Sequence, residues 1–334
     1  MRDARTAFLL HPASPLHDTG WGHPEHQGRL RALASTVGRD MLALHGRVEQ
    51  VEPGGASEAD LLRVHDAALV GLVRRAAESA AAAHKLVALD PDTRVSADSW
   101  DAAVGSVAAA ITAARLVSDG TFKNAFVATR PPGHHATRDR AMGFCLFNNV
   151  AVTARWLQEE GRAGDVLIVD WDVHHGNGTQ DVFWEDPSVF FLSLHQFPHW
   201  PGTGHPDEVG GGKGRGTTRN VALPPGTPRE TYLGLYEESL ERVLEVFRPD
   251  FVLVSSGFDV LAGDPLGGQL LEPEDMHHLA GRLAARAGDV CDGRVVVLLE
   301  GGYDPSRTGL GAVAVIRALA GVEEADPTLP AHPG

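Results

Sequence analysis

VDWDVHHGNGTQD, residues 169–181, is the most informative segment of this chain. It continues a mainly apolar run from Asp165 to Val169, so ionisable side chains gather where a buried strand is expected to emerge. Open parallel sheets bind their ligands at the carboxyl ends of their strands. The segment therefore predicts a site for metal-dependent chemistry at the edge of a parallel sheet.

The rest of the chain alternates between strand-like and helix-like segments. Continuous β-branched and apolar runs suit parallel strands covered on both faces, and they predict strands at 7–10, 125–129, 166–170, 189–194, 251–256 and 295–300. Segments with helical periodicity predict helices at 61–82, 99–117, 149–160, 228–247, 273–290 and 309–319. We expect the first of these helices to be interrupted. Thr227, Pro228 and Glu230 carry the elements of a capping box for the helix at 228. The alternation predicts right-handed βαβ crossovers and helices on both faces of the sheet.

Composition indicates a globular protein, with 43% hydrophobic and 22% charged residues among 334. Apolar runs are too short for a membrane span, and the N-terminus lacks the apolar region of a secretory signal. Cys145 and Cys291 are too few for a disulfide framework or a cysteine-rich zinc site. The net charge of −15 opposes nucleic-acid binding and favours a cationic peptide or amine. We expect a cytoplasmic protein with no membrane or nucleic-acid partner.

Domain organisation follows from the absence of any repeat or linker-like change in composition. We predict one catalytic domain over residues 1–322 and a loosely ordered tail over 323–334. The sequence carries no signal for an oligomeric state.

Polar motifs follow five of the predicted strands. They are Arg130–His135, Asp170–His175, Ser193–His195, Ser255–Asp259 and Glu300–Tyr303. Because the carboxyl ends of parallel strands share one edge, we expect these five segments to form one site.

Asp172 and His174 are the first candidate metal ligands. Residues two apart in extended chain project to the same side, so both can bind one ion, and Asp259 is the best third ligand because it follows a strand end and a glycine. Two carboxylates and one imidazole leave zinc an open position for water, as in catalytic sites. The alternative is that Asp172 and His174 only cap a neighbouring helix.

His134 and His135 form a tandem pair after a Pro-Pro-Gly turn. A lone histidine is more often structural, but two beside a metal cluster indicate proton transfer. Buried catalytic imidazoles need an orienting acceptor on their second nitrogen, and Asp170 and Asn177 are the natural partners.

Tyr303 follows two glycines, Gly301 and Gly302, which pack nothing and provide a flexible hinge at the rim. Its hydroxyl can donate a hydrogen bond to an oxyanion that forms on the substrate carbonyl. Ordinary packing is the alternative role for a tyrosine near a strand end.

These motifs resemble those of the zinc-dependent histone deacetylase family, most closely its class II branch and the bacterial histone-deacetylase-like amidohydrolases. The resemblance extends in order from His23 to Tyr303 and rests on RPPGHH at 130–135, GFC at 143–145, FNN at 147–149, DWDVHHGNGTQ at 170–180, SGFD at 256–259, GDPLGG at 263–268 and EGGY at 300–303.

The resemblance implies an arginase-like α/β three-layer sandwich with an eight-stranded, mostly parallel sheet. It implies Asp172, His174 and Asp259 as ligands of zinc, or of ferrous iron in the cell. It also implies His135 as general base and then acid, an electrostatic role for His134, and polarisation of the amide carbonyl by Tyr303. Hydrolysis is direct, so Cys145 need not act as a nucleophile.

The resemblance further implies a structural potassium ion beside the zinc and a second monovalent site. The first would be held by Asp170, Asp172, His174, Ser193 and Leu194, and the second by Phe183, Asp186 and Val189. Asn177 stands where class I members carry Asp, so the pKa of His135 should be raised less, which favours the neutral base at pH 7.

The substrate channel is implied by the same comparison. Its predicted residues are Phe144, Gly143, Trp200, Leu266, Asp92, Gly301 and Gly302. Phe144 and Trp200 are the two aromatic walls. Leu266 stands where polyamine-selective relatives place a glutamate, and Asp92 either accepts hydrogen bonds from substrate backbone or is a solvated turn carboxylate.

Arg29 resembles the arginine that lines an acetate exit path, with a surface position as the alternative. The other histidines are interpreted as rim or surface residues, namely His17, His23, His195, His199 and His205.

The leading hypothesis is a metal-dependent hydrolase that removes acetyl or other acyl groups from lysine side chains. Its rival among hydrolases is an acetylpolyamine or other small-molecule amide deacetylase. A binding module without turnover is disfavoured by the complete site, and a binuclear manganese ureohydrolase needs bridging carboxylates that Gly176 and Asn177 do not supply.

Overall fold

The computed structural model describes residues 5–324. Its strands are β1 Thr6–Leu9, β2 Val48–Gln50, β3 Val87–Ala88, β4 Arg94–Val95, β5 Asn124–Val127, β6 Val166–Asp170, β7 Val189–Gln196, β8 Thr218–Leu223, β9 Phe251–Ser256 and β10 Val295–Leu299. Its helices are α1 Gly28–Leu44, α2 Glu58–Leu61, α3 Ala67–Ala83, α4 Ser99–Ser118, α5 Asn149–Glu159, α6 Asn177–Phe183, α7 Arg229–Val246, α8 Pro273–Cys291 and α9 Pro305–Leu319. Most of the predicted tail lies outside the described residues, and the single-domain assignment stays a prediction.

The central sheet has eight strands in the order β2-β1-β5-β10-β9-β6-β7-β8. Among the described residues every strand pairing in this sheet is parallel, while β3 and β4 form a separate antiparallel pair. The prediction of an α/β fold on an eight-stranded parallel sheet is confirmed.

Apolar side chains on both faces of the strands explain the three layers. In β10, Val295 and Val297 join one hydrophobic cluster with side chains of α1, α7, α8 and α9, while Val296 and Leu298 join a second cluster with α3, α4 and α5. Successive side chains of a strand point to opposite faces, so an uninterrupted apolar run buries both. The five strands from β5 to β7 in sheet order are buried along their whole length.

Several elements differ from the sequence prediction. The edge strands β2 and β8 and the helices α1 and α6 were not predicted from the residue pattern, and β7 continues through Ser193 to Gln196. The capping box at Thr227 is wrong, because its hydroxyl donates to the Pro224 carbonyl at 2.7 Å and Pro228 takes the N-cap position of α7. Capping boxes occur instead at the starts of α2 and α8.

Among the described residues, α4 alone is long and apolar enough to cross a membrane. Most of its side chains are covered, and it packs against α5 and β5 inside the protein. Burial in the core accounts for its apolar composition.

Candidate metal centre

The carboxyl ends of four central strands place the functional side chains. Asp170, the last residue of β6, pairs in register with Ser193 of β7 and Ser255 of β9, and β10 ends beside them at Leu299. The chain turns out of the sheet just beyond these positions. The segments that follow β5, β6, β9 and β10 therefore meet at one edge.

Asp172, His174 and Asp259 are buried at this edge and offer ligand atoms that all lie within 4.8 Å of one another. The Nδ1 atom of His174 is 3.1 Å from Asp172 Oδ1 and 3.2 Å from Asp259 Oδ2. Backbone amides orient the carboxylates, since Val173 donates to Asp259 Oδ1 at 3.0 Å and Gly301 donates to Asp172 Oδ2 at 2.8 Å. The structure thus brings together the three predicted ligands.

The cluster of Asp172, His174 and Asp259 places two buried carboxylates beside a single imidazole. Among the described residues Asp259 Oδ2 is buried and has no hydrogen-bond partner. Burial, with the neighbouring charge of Asp172, raises the pKa of Asp259 to about 7. Burial alone would lower the pKa of His174, but the adjacent Asp172 and Asp259 carboxylates raise it to about 10. A divalent cation bound between these three side chains would compensate the buried negative charge of the two carboxylates.

The tandem histidines have different electrostatic environments. The Nδ1 atom of His134 is 2.9 Å from Asp170 Oδ2, and although burial opposes the charged form, Asp170 and Asp172 raise the pKa of His134 to about 10. His135 Nδ1 is 2.8 Å from the Oδ1 atom of Asn177, to which it donates. Burial and the charge of His134 hold the pKa of His135 well below its ordinary value. The pair therefore combines a charged imidazolium with a neutral imidazole.

Tyr303 is buried, and its ring meets Phe144 edge-on at 5.7 Å between centroids. Burial and the charge of Asp259 raise the pKa of Tyr303 well above its ordinary value, so the phenol keeps its proton. The Tyr303 backbone amide donates to Asp264 Oδ2 at 2.7 Å. This hydrogen bond fixes the segment that carries the ring.

The two glycines before Tyr303 are tightly packed, which corrects their interpretation as an open hinge. A Cβ on Gly301 would lie 2.1 Å from Asp259 Oδ2 and 2.7 Å from Asp172 Oδ2. Gly302 has a φ of +115°, a conformation that favours glycine, and its carbonyl accepts from Arg29 Nε at 2.5 Å. Their contacts are with the metal-binding carboxylates and with Arg29.

Arg29 is fully buried, so the surface alternative is wrong. Its guanidinium donates to the carbonyls of Gly302 and Glu300 and to the Glu25 carboxylate, and it lies over the Tyr303 ring at 5.0 Å. Arg29 therefore holds the segment that carries Tyr303. Its role in an exit path stays a prediction.

A channel of about 220 Å³ leads to this centre. Predicted residues on its wall are Asp92, Gly143, Phe144, Trp200 and Leu266, which join His135, His174 and His199. The Trp200 ring meets His135 edge-on at 4.7 Å. A Cβ on Gly143 would lie 2.4 Å from the Trp200 ring, so this close approach needs glycine. In the channel Asp92 is half-buried, and burial together with Asp90 raises its pKa.

His199 was missed as a site residue. Its ring stacks on His174 with centroids 4.9 Å apart, and its Nε2 donates to the Leu266 carbonyl at 3.0 Å. Among the other histidines expected at the rim or surface, His17 and His195 are buried, which corrects that expectation, whereas His23 lies against Phe144 of the channel wall. Several contacts of these rings are with residues distant in sequence, such as Ser99 for His17 and Asp92 for His23, so the local pattern carries little signal for them.

Glu25, Arg130 and Glu300 form a buried support that the analysis of site residues missed. Arg130 Nε donates to Glu25 Oε1 at 2.7 Å, and the backbone amide of Gly133 donates to Glu300 Oε2 at 2.6 Å. Burial raises the pKa of Glu300 to about 7. Arg130 and Glu300 occur in the motifs at 130–135 and 300–303, and Glu25 lies two residues after His23, where the resemblance begins, so the motifs were the available signal.

The residues predicted to hold monovalent cations lie in two places. Ser193 is buried beside Asp170, and its hydroxyl is 2.9 Å from His195 Nδ1, with Leu194 next in β7. Phe183, Asp186 and Val189 line the turn from α6 into β7, where the Asp186 amide donates to the Phe183 carbonyl at 3.0 Å.

Comparisons with known proteins agree with this geometry. The histone deacetylase domain model matches residues 23–319. A probable deacetylase from Archaeoglobus fulgidus is 36% identical over 331 residues, covering 97% of this chain and 90% of that protein. Human histone deacetylase 9 is 36% identical over 329 residues, covering 90% of this chain and 32% of that protein.

Two further relatives extend the comparison. The chloroplastic histone deacetylase 10 of Oryza sativa subsp. japonica is 44% identical over 196 residues, covering 59% of this chain and 44% of that protein. This chain therefore spans less than half the length of the rice and human relatives. The crystal structure of the HDA15 HD domain matches with a TM-score of 0.89 and 35% identity, covering 98% of this chain and 91% of that one.

Fold and site together define a hydrolytic deacetylase with the arginase-like α/β architecture. The chain belongs to the histone deacetylase family. Members of this family generally use a divalent metal, and the buried Asp172, His174 and Asp259 cluster is the corresponding site here.

Proposed function

We propose that the protein is a zinc-dependent deacylase of lysine side chains in proteins or peptides. The observation that carries the proposal is the cluster of Asp172, His174 and Asp259 beside the channel that His135 and His174 line. Two carboxylate oxygens and an imidazole nitrogen form a donor set that suits zinc, and ferrous iron is the alternative ion. The buried Asp259 Oδ2, which has no hydrogen-bond partner within residues 5–324, fits a ligand atom.

When bound, the ion supplies a Lewis acid that polarises the amide carbonyl and acidifies a water molecule. His135 presents Nε2 as the proton acceptor, because its Nδ1 donates to Asn177. We assign His135 the removal of a proton from the attacking water and its transfer to the leaving amine. A C–O bond forms, the C–N bond breaks, and carboxylate and amine are released.

Tyr303 and His134 stabilise the negative charge that develops on the carbonyl oxygen. The Tyr303 phenol stays protonated and can donate a hydrogen bond, while Asp170 keeps His134 charged. Cys145 is buried, and burial raises the pKa of its thiol well above the ordinary value. A cysteine nucleophile is therefore not part of the mechanism.

Support for a lysine substrate comes from the channel wall. Phe144 and Trp200 provide apolar rings suited to the methylene chain of acyl-lysine, and Leu266 at the rim provides no carboxylate to attract a distal ammonium. We assign Asp92 as an acceptor for the backbone N–H groups of a peptide. Acylated polyamines are the alternative substrates.

We also propose a structural potassium ion held around Asp170 and Ser193, with a second monovalent cation at the turn before β7. Support for the first site is the register that pairs these two residues at the sheet edge. Support for the second is the proximity of Phe183 and Asp186. Both cysteines are free and buried, in keeping with a proposed cytoplasmic location.

The metal-loaded enzyme should favour an acetyl-lysine peptide over N-acetylputrescine by more than about tenfold in kcat/KM, a difference of about 1.4 kcal/mol in barrier. The reason is that only the peptide offers the backbone donors assigned to Asp92. Steady-state assays of both substrates on one metal-reconstituted preparation provide the measurement. A preference for the polyamine would reject the lysine assignment.

A further inference from the structure

Trp21 is a large apolar side chain that the fold leaves fully exposed, at 102% relative exposure. It lies between Gly20 and Gly22, whose φ values of +94° and +76° belong to a region that favours glycine. Single exposed hydrophobic residues are common, so exposure alone assigns no role. The location of Trp21 relative to the channel does suggest a role.

The turn that carries Trp21 is joined to the mouth of the channel. Two residues later, His23 Nε2 donates to the Asp92 carbonyl at 3.0 Å, and its ring meets Phe144 edge-on at 4.8 Å. Asp92 and Phe144 both line the channel. The Thr19 hydroxyl donates to the Glu25 carbonyl at 2.7 Å and ties the base of the turn to the buried support. Trp21 is thus held at the rim on an anchored turn.

Trp21 lines a groove of about 690 Å³. Besides Trp21 and neighbouring glycines, it is lined by Asp18, His26, Gln27 and Arg31. Its walls therefore combine one aromatic face with side chains that can hydrogen-bond a peptide backbone. The channel to the metal centre, at about 220 Å³, is lined by aromatic and imidazole rings and suits a single side chain.

We propose that Trp21 binds the peptide that flanks the acylated lysine and stacks its indole on a cationic side chain of that peptide. When a lysine side chain enters the channel, the residues next to it must lie on the rim. Tryptophan is the best aromatic partner for a cation, and the net charge of −15 favours basic substrates. The inference rests on the proposed function, because a small acylated amine has no flanking residues.

The test compares three substrates: acetyl-lysine capped at both ends, a peptide with arginine next to acetyl-lysine, and the same peptide with alanine there. Trp21→Ala should lower kcat/KM for the arginine peptide by about two- to fivefold through KM, the size of an exposed cation–π contact. The arginine-over-alanine preference should disappear. Trp21→Phe should retain part of it.

Leu42→Ala is the matched control, because Leu42 is 92% exposed near the other end of α1. Leu42→Ala should leave kcat/KM unchanged for all three substrates. Thermal unfolding of each variant verifies folding.

The outcomes separate the inference from the proposed function. An unchanged arginine preference in Trp21→Ala, or an equal loss on capped acetyl-lysine, overturns the role of Trp21 while leaving lysine deacylation intact. Wild-type enzyme that hydrolyses none of the three substrates contradicts the proposed function, and the inference falls with it.

Discussion

At the residue scale, Gly301 shows how closely the metal centre is packed. Its amide donates to Asp172 Oδ2, and the same position has no room for a Cβ between the Asp172 and Asp259 carboxylates. Any side chain here must displace a metal-binding oxygen. Gly301 was predicted to lie in the site, but its contact with the two carboxylates could not be predicted, because Asp172 and Asp259 are distant from it in the chain.

Gly301→Ala is expected to lower kcat/KM by about 100-fold, the effect of a displacement of about 1 Å in a catalytic site. Metal affinity should fall with it, because both carboxylates move. The measurement is kcat/KM together with metal titration.

Gly38→Ala is the control, since no described heavy atom lies within 4 Å of the added Cβ and the residue is inside α1. It should leave activity unchanged and stabilise the helix by about 0.5–1 kcal/mol. Unchanged activity in Gly301→Ala would contradict the packing described here.

Residue spacing predicted the chemistry at some positions and not at others. The two-residue separation of Asp172 and His174 was sufficient to pair them, and the Gly before Asp259 indicated a turn at a strand end. His199 could not be predicted, because its stacking on His174 joins two loops through space. The side chain of Arg29 reaches Gly302 across the molecule in the same way.

At the element scale, burial on both faces made the central strands predictable. Uninterrupted apolar sequence such as VVVLL at 295–299 has few explanations besides a covered strand. The edge strand β8 reads TRNVAL and mixes buried with partly exposed residues, so it lacks that signal. The edge strand β2 has three residues, too few for a period to be recognised.

The segment before α1 is joined to the end of β5 by a buried ion pair, which gives an element-scale prediction. Glu25→Gln should lower the free energy of unfolding by about 3–5 kcal/mol, because Arg29 and Arg130 would keep their buried charges without a carboxylate. Urea denaturation monitored by circular dichroism measures this change.

Glu58→Gln is the matched control, since Glu58 pairs with Arg74 at the surface. Exposed pairs contribute about 0–1 kcal/mol, so the control should change stability little. Equal small effects in both variants would show that the Glu25 pair does not join these elements.

For the whole molecule, buried neutral histidines determine how stability responds to acid. Burial lowers the pKa of His17 and of His65 from 6.5 to about 4. His65 Nδ1 donates to the Thr137 carbonyl, and its Nε2 accepts from the Asn148 amide, so the neutral ring satisfies both contacts. Protonation would break the second contact.

For His17 and His65 the unfolded chain binds more protons than the folded chain between the two pKa values, so the contribution of each ring to stability should fall as pH drops from about 6.5 to about 4. Each histidine contributes roughly 3 kcal/mol at most over this window. Urea unfolding at a series of pH values measures the slope.

His65→Gln should remove the His65 contribution from this pH dependence, because glutamine offers one donor and one acceptor without titrating. The exposed His45 provides the control, and His45→Gln should leave the slope unchanged. A wild-type slope in His65→Gln would contradict the assignment of a neutral buried ring.

The proposed mechanism requires one divalent ion between Asp172, His174 and Asp259. The measurement is elemental analysis of the purified wild type, which must be active, and of the Tyr303→Phe and Asp259→Ala variants. We expect the wild type to bind one zinc or iron ion per chain. Tyr303→Phe should bind the same amount of metal but lose turnover. Asp259→Ala should lose the bound metal. Active wild-type protein without a divalent metal, or full metal content in Asp259→Ala, would contradict the account.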